Sequence, residues 1–335
     1  MRRSPILVGI FLLVALAAYS TYWWVAAGKI EDAASAWARA AHERQLDVSW
    51  QSIRVTGYPF AFELKLGGTV ASDKAVDPQV ELHAPTLLAR VRPWNFREVR
   101  LATPEGIATL LGQEPAPLAR FGAASADATV ALDGDGAATI WLNFYQPTSN
   151  APLSLSARVA RAWVMLPARP AVAHAGPAVG LLITALSLPA APPEFSPSID
   201  ELGLGVTVMG ALPAGPLREA AAVWRDSGGA LELDHLDLRW GELGVTGSGT
   251  LALDSELQPV GGFSGAVSGY DKLMSALVAA GRIKASDARI ARLALAMIGK
   301  IGPDGRPEIT TSLTIQAGQM FLGPAKLGRA PHIDW

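Results

Sequence analysis

Residues 5–27 read PILVGIFLLVALAAYSTYWWVAA, and residues 55–66 read VTGYPFAFELKL. The first stretch is apolar throughout, interrupted only by Ser20 and Thr21. It has the roughly 20 residues that a helix needs to cross the hydrocarbon core of a bilayer. Tyr19, Tyr22, Trp23 and Trp24 crowd its far end, where amphipathic rings favour the headgroup level. Arg2, Arg3 and the amino terminus outweigh Lys29 as the positive flank, which places the N-terminus in the cytoplasm and the rest of the chain outside. The competing reading is a cleaved signal peptide, with Ile6 to Val14 as its apolar core and Ala15-Leu16-Ala17 as its cleavage motif. The apolar run continues past that motif, and Ile30, Ala33, Ala34, Trp37 and Ala41 then repeat at helical spacing. One long helix is therefore expected. Its residues 1–28 form a transmembrane anchor, with Ile6, Leu12, Leu13, Tyr22, Trp23 and Trp24 in the membrane, and residues 29–46 form a membrane-proximal helix.

The second stretch opens a different texture. Ile53 and Val55 alternate, Gly57-Tyr58-Pro59 interrupts with a kink or bulge, and Phe60, Phe62, Leu64 and Leu66 alternate against Ala61, Glu63 and Lys65. That is the period of half-buried strands, closed at Gly67-Gly68. Strands are expected around Val80–Leu82, Leu87–Val91 and Val99–Leu101, and a short helix from Thr103-Pro104-Glu105 to Gly112. Strand, Asp133-Gly134-Asp135-Gly136 turn and strand follow over 128–144, with a further strand pair over 154–166. Residues 167–180 and 189–197 are rich in Pro, Ala and Gly and read as irregular. Pro216–Asp226 reads as an amphipathic helix with Leu217, Ala220, Ala221 and Trp224 on one face. A meander is expected over 230–269, with turns at 241–244 and 254–258. Within it Leu231 and Leu233 are out of phase with Leu236, Leu238 and Trp240, so a bulge belongs near His235. Helices over 271–280 (Gly281 as C-cap) and 286–298 (Ser286 as N-cap) precede strands over 308–315 and 319–322. The expected fold is α+β: an N-terminal transmembrane helix, then a mostly antiparallel, curved β-sheet domain over 47–335 with a few packing helices. The stretches 50–101 and 231–270 share one style of strand, which suggests two similar halves meeting near 170–200.

Charge and chemistry narrow the function. Of 335 residues only 17% are charged and the net charge is −2, so there is no clustered basic footprint for nucleic acid. With no cysteine, disulfides, thiolate nucleophiles and Cys-ligated metals are excluded. His42, His83, His174, His235 and His332 are scattered, without metal-ligand spacing. His235, between Asp234 and Asp237, reads as a hydrogen-bonded surface residue. The Asp133–Gly136 turn lacks the further oxygens that calcium requires, Gly247-Ser248-Gly249 lacks nucleophile-elbow spacing, and Glu31-Asp32 reads as a solvated pair. The terminal Trp335 matches the aromatic ending of some outer-membrane barrels, but the N-terminal anchor and the irregular strands speak against a barrel. No enzyme, cofactor or metal site is expected.

Several landmarks carry a resemblance: the Trp-rich anchor end, Val55-Thr56-Gly57-Tyr58-Pro59-Phe60, Arg92-Pro93-Trp94-Asn95, Gly249-Thr250-Leu251-Ala252-Leu253-Asp254 and Phe321-Leu322-Gly323-Pro324. Through them the chain resembles an alphaproteobacterial family of membrane-anchored envelope proteins, domain of unknown function 2125. That family implies no activity and no catalytic residues. In texture the chain is more distantly similar to AsmA-like proteins, whose long curved sheets are implicated in lipid movement. The leading expectation is an inner-membrane-anchored periplasmic protein that binds or moves lipid along an apolar sheet face, with Phe60, Phe62, Leu64 and Leu66 facing the lipid. Those residues would equally form an ordinary core. The alternative is a non-enzymatic scaffold or assembly factor that binds another envelope protein.

Overall fold

In the computed structural model, which describes residues 4–76, 78–112, 117–151, 153–168, 176–191, 194–210, 216–281, 283–302, 307–323 and 325–333, α1 is one unbroken helix over Ser4–His42. Its 39 residues span about 58 Å at 1.5 Å per residue. No proline follows Pro5 within it, and alanines and leucines favour the helix throughout. The helix runs unbroken through residue 28, as the expectation of one long helix requires. Arg39 lies in the last turn, where a cation complements the helix dipole. The flanking Arg2 and Arg3 lie outside the described residues.

By contacts the chain divides into two compact units: Met1–Ala131 with Ser149–Pro152, and Leu132–Thr148 with Leu153–Trp335. The division falls before the 170–200 region named above. The first unit adds to α1 the strands β1 (Leu46–Ser49), β2 (Ser52–Thr56), β3 (Phe62–Asp73), β4 (Val80–Arg92), β5 (Asn95–Thr103), β6 (Ile107–Leu111), β7 (Ala119–Ala123) and β8 (Ser125–Leu132). They pair antiparallel; β3 runs between β4 on one side and β1 and β2 on the other. Three expectations are corrected. Gly57–Ala61 reverses the chain, so β2 and β3 form a hairpin, with Val55 opposite Leu64; the peptide bond between Tyr58 and Pro59 is cis. Gly67-Gly68 does not end a strand, because β3 continues to Asp73, with Gly68 at φ 62°. Residues 103–112 form no helix. Gly106 takes φ 97°, and β6 pairs with Val80–His83 of β4, since an isolated turn or two of helix is marginal while an open strand edge is a ready partner.

The second unit contains β9 (Ala138–Tyr145), β10 (Thr148–Ser149, reaching the first unit), β11 (Leu155–Ser156), β12 (Val159–Leu166), β13 (Ala178–Ser187), β14 (Ser198–Met209), α2 (Leu217–Asp226), β15 (Ala230–Trp240), β16 (Leu243–Leu253), β17 (Pro259–Ser268), α3 (Tyr270–Ala279), α4 (Ala285–Ile298), β18 (Lys300–Ile301), β19 (Pro307–Gln316), β20 (Gln319–Leu322) and β21 (Ala325–Arg329). The strands β9, β12, β13, β14, β15, β16, β17 and β19 pair in that order, all antiparallel. β13 begins at Ala178, inside the stretch expected to be irregular, while 169–175 lie outside the described residues. The expected elements include neither β13 nor β14. The first is a near-continuous apolar run without alternation, whereas in the second Leu202, Leu204, Val206 and Val208 alternate with Gly203, Gly205 and Thr207 at a strand's period. Trp224 of α2 is buried and its indole Nε1 donates to the Met209 carbonyl at 2.8 Å, whereas Leu217, assigned to the same face, is 76% exposed. Ser286 lies inside α4, whose N-cap is Lys284 without a side-chain bond. The architecture is the expected class, α+β, with an N-terminal apolar helix and mostly antiparallel, curved sheet.

The β-bulge at Asp234-His235 is where sequence predicts it: register shifts there against both β14 and β16. One extra residue restores phase, so Leu231 and Leu233 face the same side as Leu236 and Leu238. Deleting Asp234 should turn the half-buried Leu231 and Leu233 to the opposite face. It should destabilise the second unit by about 1.5–3 kcal/mol, at half, for each of the two, of the roughly 1.5–3 kcal/mol that a fully buried leucine contributes; urea unfolding followed by tryptophan fluorescence checks this. At the α1–β1 turn, Lys74 Nζ lies 2.6 Å from Asp47 Oδ2 and His42 Nδ1 bonds Oδ1. Bonds from Lys74 and then His42 hold the Asp47 carboxyl below its ordinary value of 3.8. Its stabilising contribution is therefore full above that value and fades as pH falls through the lowered one. Acid unfolding of Asp47→Asn, compared with the parent chain, should lose that part of the pH dependence.

Candidate functional site

Two places in the chain gather features beyond routine packing. The first is where α1 meets the β2–β3 hairpin. Trp23, 2% exposed, stacks on Phe62, 1% exposed, at 5.4 Å between ring centroids, and its Nε1 donates to the Ala61 carbonyl at 3.1 Å. Ala27 completes the buried cluster, with Ala26, Ile30, Val55 and Val91 packed against it. The Tyr58 ring meets Trp23 edge-on at 5.5 Å. On the N-terminal side of Trp23, the Tyr19 hydroxyl donates to the Pro59 carbonyl and Ser20 Oγ lies 2.7 Å from the Tyr58 hydroxyl. On the other side, Glu31 Oε1 accepts from the Val55 amide at 2.9 Å. Stacking, edge contacts and bonds to the backbone at several heights fix the angle at which the helix meets the sheet.

The predicted anchor residues separate here. Leu12, Leu13, Tyr22 and Trp24 are exposed along α1, ready for an apolar surround. Ile6 lies in the helix, with its side chain outside those described. Trp23, expected at the membrane surface, is instead the centre of the core, because the hairpin closes over its side of the helix. The four residues proposed to face lipid separate too. Phe60 belongs to the loop and is 71% exposed, Leu64 is half-buried, and Phe62 and Leu66 are enclosed. In this hairpin, Phe62 and Leu66 are core. Glu31, read as merely solvated, ties helix to strand.

The second place is one face of the sheet in the second unit. Phe144, Ala160, Ile183, Leu202, Leu238, Val245, Val267 and Ile309 lie in register across eight strands. A parallel row runs Ile140, Val164, Val179, Val206, Leu233, Gly249, Phe263 and Leu313. No residue of either row is buried. The buried apolar residues of this unit, among them Trp224, Leu243, Tyr270 and Ala288, are not in these rows, although Leu243 lies on the same face of β16, two residues before Val245. An ordinary sheet hides such a face beneath a second layer. Here the rows stay partly open.

The opposite face is more polar but mixed; its register row is Asn143, Arg161, Leu182, Gly203, Asp237, Thr246, Ala266 and Thr310, and Trp141 and Trp163 lie on it too. A recess of about 330 Å³ there is lined by Trp141, Arg161, Trp163, Glu201, His235 and Asp237, among others. His235 lies over Gly205, where an added Cβ would come within 2.4 Å of the ring. Elsewhere His83 pairs with Glu81 at 2.8 Å; His174 and Trp335 lie outside the described residues. Asp135 Oδ1 accepts from the Ala137 amide, which is turn chemistry, and Ser248 sits in a regular ladder opposite Ser264. Among the described residues no group of three or more His, Asp or Glu could hold a metal ion.

Truncating Trp23 to Ala should cost about 3–5 kcal/mol, as for other buried tryptophans. Trp23→Phe should cost less, losing mainly the bond to Ala61 at about 1 kcal/mol. Protease accessibility of the β2–β3 loop in detergent-solubilised full-length protein should rise in the same order.

α1 is long and apolar enough to cross a membrane, the one such helix among the described residues, and is consistent with single-pass anchoring. Comparison with curated proteins finds no match, and comparison with solved structures finds none either. A family profile covers residues 23–331, from the buried Trp23 through the last strand. The chain belongs to the bacterial family described as "Uncharacterized protein conserved in bacteria (DUF2125)".

Proposed function

We propose that this is a non-enzymatic, inner-membrane-anchored protein with the bulk of its chain in the periplasm, which holds lipid acyl chains against the open apolar face of its second unit. The observation that carries the reading is the uninterrupted row from Phe144 to Ile309. Eight strands at about 4.8 Å spacing make an apolar track about 34 Å long, on the scale of a bilayer's hydrocarbon thickness. Each methylene removed from water along it contributes about 0.8 kcal/mol. A face of this size and uniformity left partly open marks a binding surface in a protein that keeps it, and a membrane anchor supplies lipid as the nearest apolar ligand.

Retention of the anchor belongs to this reading. The Ala15-Leu16-Ala17 motif lies within continuous helix, and the next turn is bonded to Tyr58 and Pro59. Intact mass of the protein from membranes should include the residues before Ala18; a chain beginning at Ala18 would refute retention.

A photo-crosslinking amino acid placed at Leu238 or Val245 of the full-length protein in cells should yield phospholipid adducts by mass spectrometry. The same probe at Thr246, on the polar face, should yield few. Leu238→Asp combined with Val267→Asp should cut the adducts at Val245 by tenfold or more, about 1.4 kcal/mol or more of lost affinity. Equal labelling of both faces would overturn the proposal, and protein adducts alone would favour the scaffold reading.

A further inference from the structure

Counting from Pro5, about 30 Å of hydrocarbon takes up 20 helical residues and ends at Trp24. Tyr19 and Ser20 then lie about 6–7.5 Å inside that limit. These are the residues that hold the β2–β3 loop, through the Pro59 carbonyl and the Tyr58 hydroxyl. The loop tip therefore descends beside the helix to a level at which the helix is still within, or at the edge of, the apolar layer.

The chemistry of the tip suits that level. Phe60 is 71% exposed and Tyr58 43%. The adjoining β4–β5 turn ends at the same edge, since Phe62 pairs with Val91, Val91 with Val99, and Arg92 with Asn95. That turn carries Trp94, 65% exposed, and leads into the exposed Phe96 of β5, whose ring stacks on Phe62 at 6.4 Å. Trp24 is exposed on the helix at the same end. Water-exposed aromatics at several points of one edge are costly in solution and favoured at a membrane interface.

Backbone entering such a region must satisfy its polar groups internally. In the loop, the Phe60 and Ala61 amides both donate to the Gly57 carbonyl, at 3.1 and 2.9 Å. The Pro59 and Ala61 carbonyls accept from Tyr19 and from Trp23 Nε1, and Pro59 has no N–H to satisfy. The exposed Arg92 and Arg97 flank the Trp94 turn. Close by, Glu98 is held by Arg100 at 2.7 Å, and Glu63 faces Arg90 across the ladder.

We propose that the Gly57–Ala61 loop and the Trp94–Phe96 turn form a second membrane contact. Phe60, Trp94 and Phe96 enter the interface of the leaflet from which α1 emerges, and Arg92 and Arg97 meet its phospholipid phosphates. The wedge sets the sheet's edge into the bilayer surface and fixes its orientation there. It rests on α1 crossing the membrane, and is independent of whether the second unit holds lipid.

The chain has no cysteine, so single substitutions Leu13→Cys, Phe60→Cys, Trp94→Cys and Arg44→Cys each place one environment-sensitive fluorophore on the full-length protein. They are reconstituted into phosphatidylethanolamine–phosphatidylglycerol vesicles containing lipids spin-labelled at shallow or deep positions. Labels at 60 and 94 should be quenched best by shallow spin labels and the label at 13 by deep ones, while the label at 44, beyond the end of α1, stays unquenched. Charge reversal by Arg92→Glu with Arg97→Glu should lower shallow quenching at 60 and 94 by about twofold, since each basic contact with an anionic surface is worth about 1 kcal/mol. Labels at 60 and 94 as unquenched as the one at 44, with the label at 13 quenched, overturn the wedge and leave the anchor standing. An unquenched label at 13 overturns both, and unchanged quenching in the charge-reversal variant overturns the phosphate contact.

Discussion

The stack of Trp23 on Phe62 is the contact on which the first unit depends. A helix that leaves a membrane usually meets its domain through a flexible linker, and the two then move independently. Here the helix does not end. It carries an indole into the hairpin, where an aromatic face, an N–H and a neighbouring alanine meet a ring, a carbonyl and aliphatic side chains. The contact combines area burial with direction: stacking fixes distance, and the bond to Ala61 fixes rotation about the helix axis. Contacts from Tyr19 to Asp47 extend this along more than half of α1. Helix and sheet are thus one structure in this unit.

The second unit poses the opposite problem. Its sheet sorts aliphatic from polar side chains across eight strands, and a single bulge keeps that sorting intact where β15 slips by one residue. A sorted sheet normally closes by packing a second layer on its apolar side. In this unit α2, α3 and α4 bury other residues, and the sorted rows remain half-buried. It is this unsealed face on which the proposed lipid-holding role rests.

How far the sequence could be read depended on how local the signal was. The 39-residue helix, the turns expected at 133–136 and 241–244, and the bulge near His235 follow from hydrophobic period and turn chemistry over a few residues. The strand over Ile107–Leu111 did not, because Thr103-Pro104 imitates a helix start and only pairing with β4 reveals the strand. β13 was also hidden, since its apolar run does not alternate and its identity comes from the ladders on either side. β14, by contrast, carries a legible strand period over 202–208, although it is not among the expected elements. Phe60, Phe62, Leu64 and Leu66 alternate in sequence as one set, yet the reversal at Gly57–Ala61 leaves the first in a loop and puts Phe62 and Leu66 in a core.

By itself the sequence determined that an apolar helix leads into a mostly antiparallel sheet protein, and that the helix runs past the point where a membrane would end. Periodicity carries that information because side-chain direction repeats every 3.6 residues in a helix and every two in a strand. Only the tertiary structure decided which apolar residues are enclosed and which stay open. Burial depends on what another segment brings to the same place, and Trp23 lies 39 residues before the Phe62 that covers it. For the same reason the open rows of the second unit could not be read from any one strand: they exist only where eight registers agree.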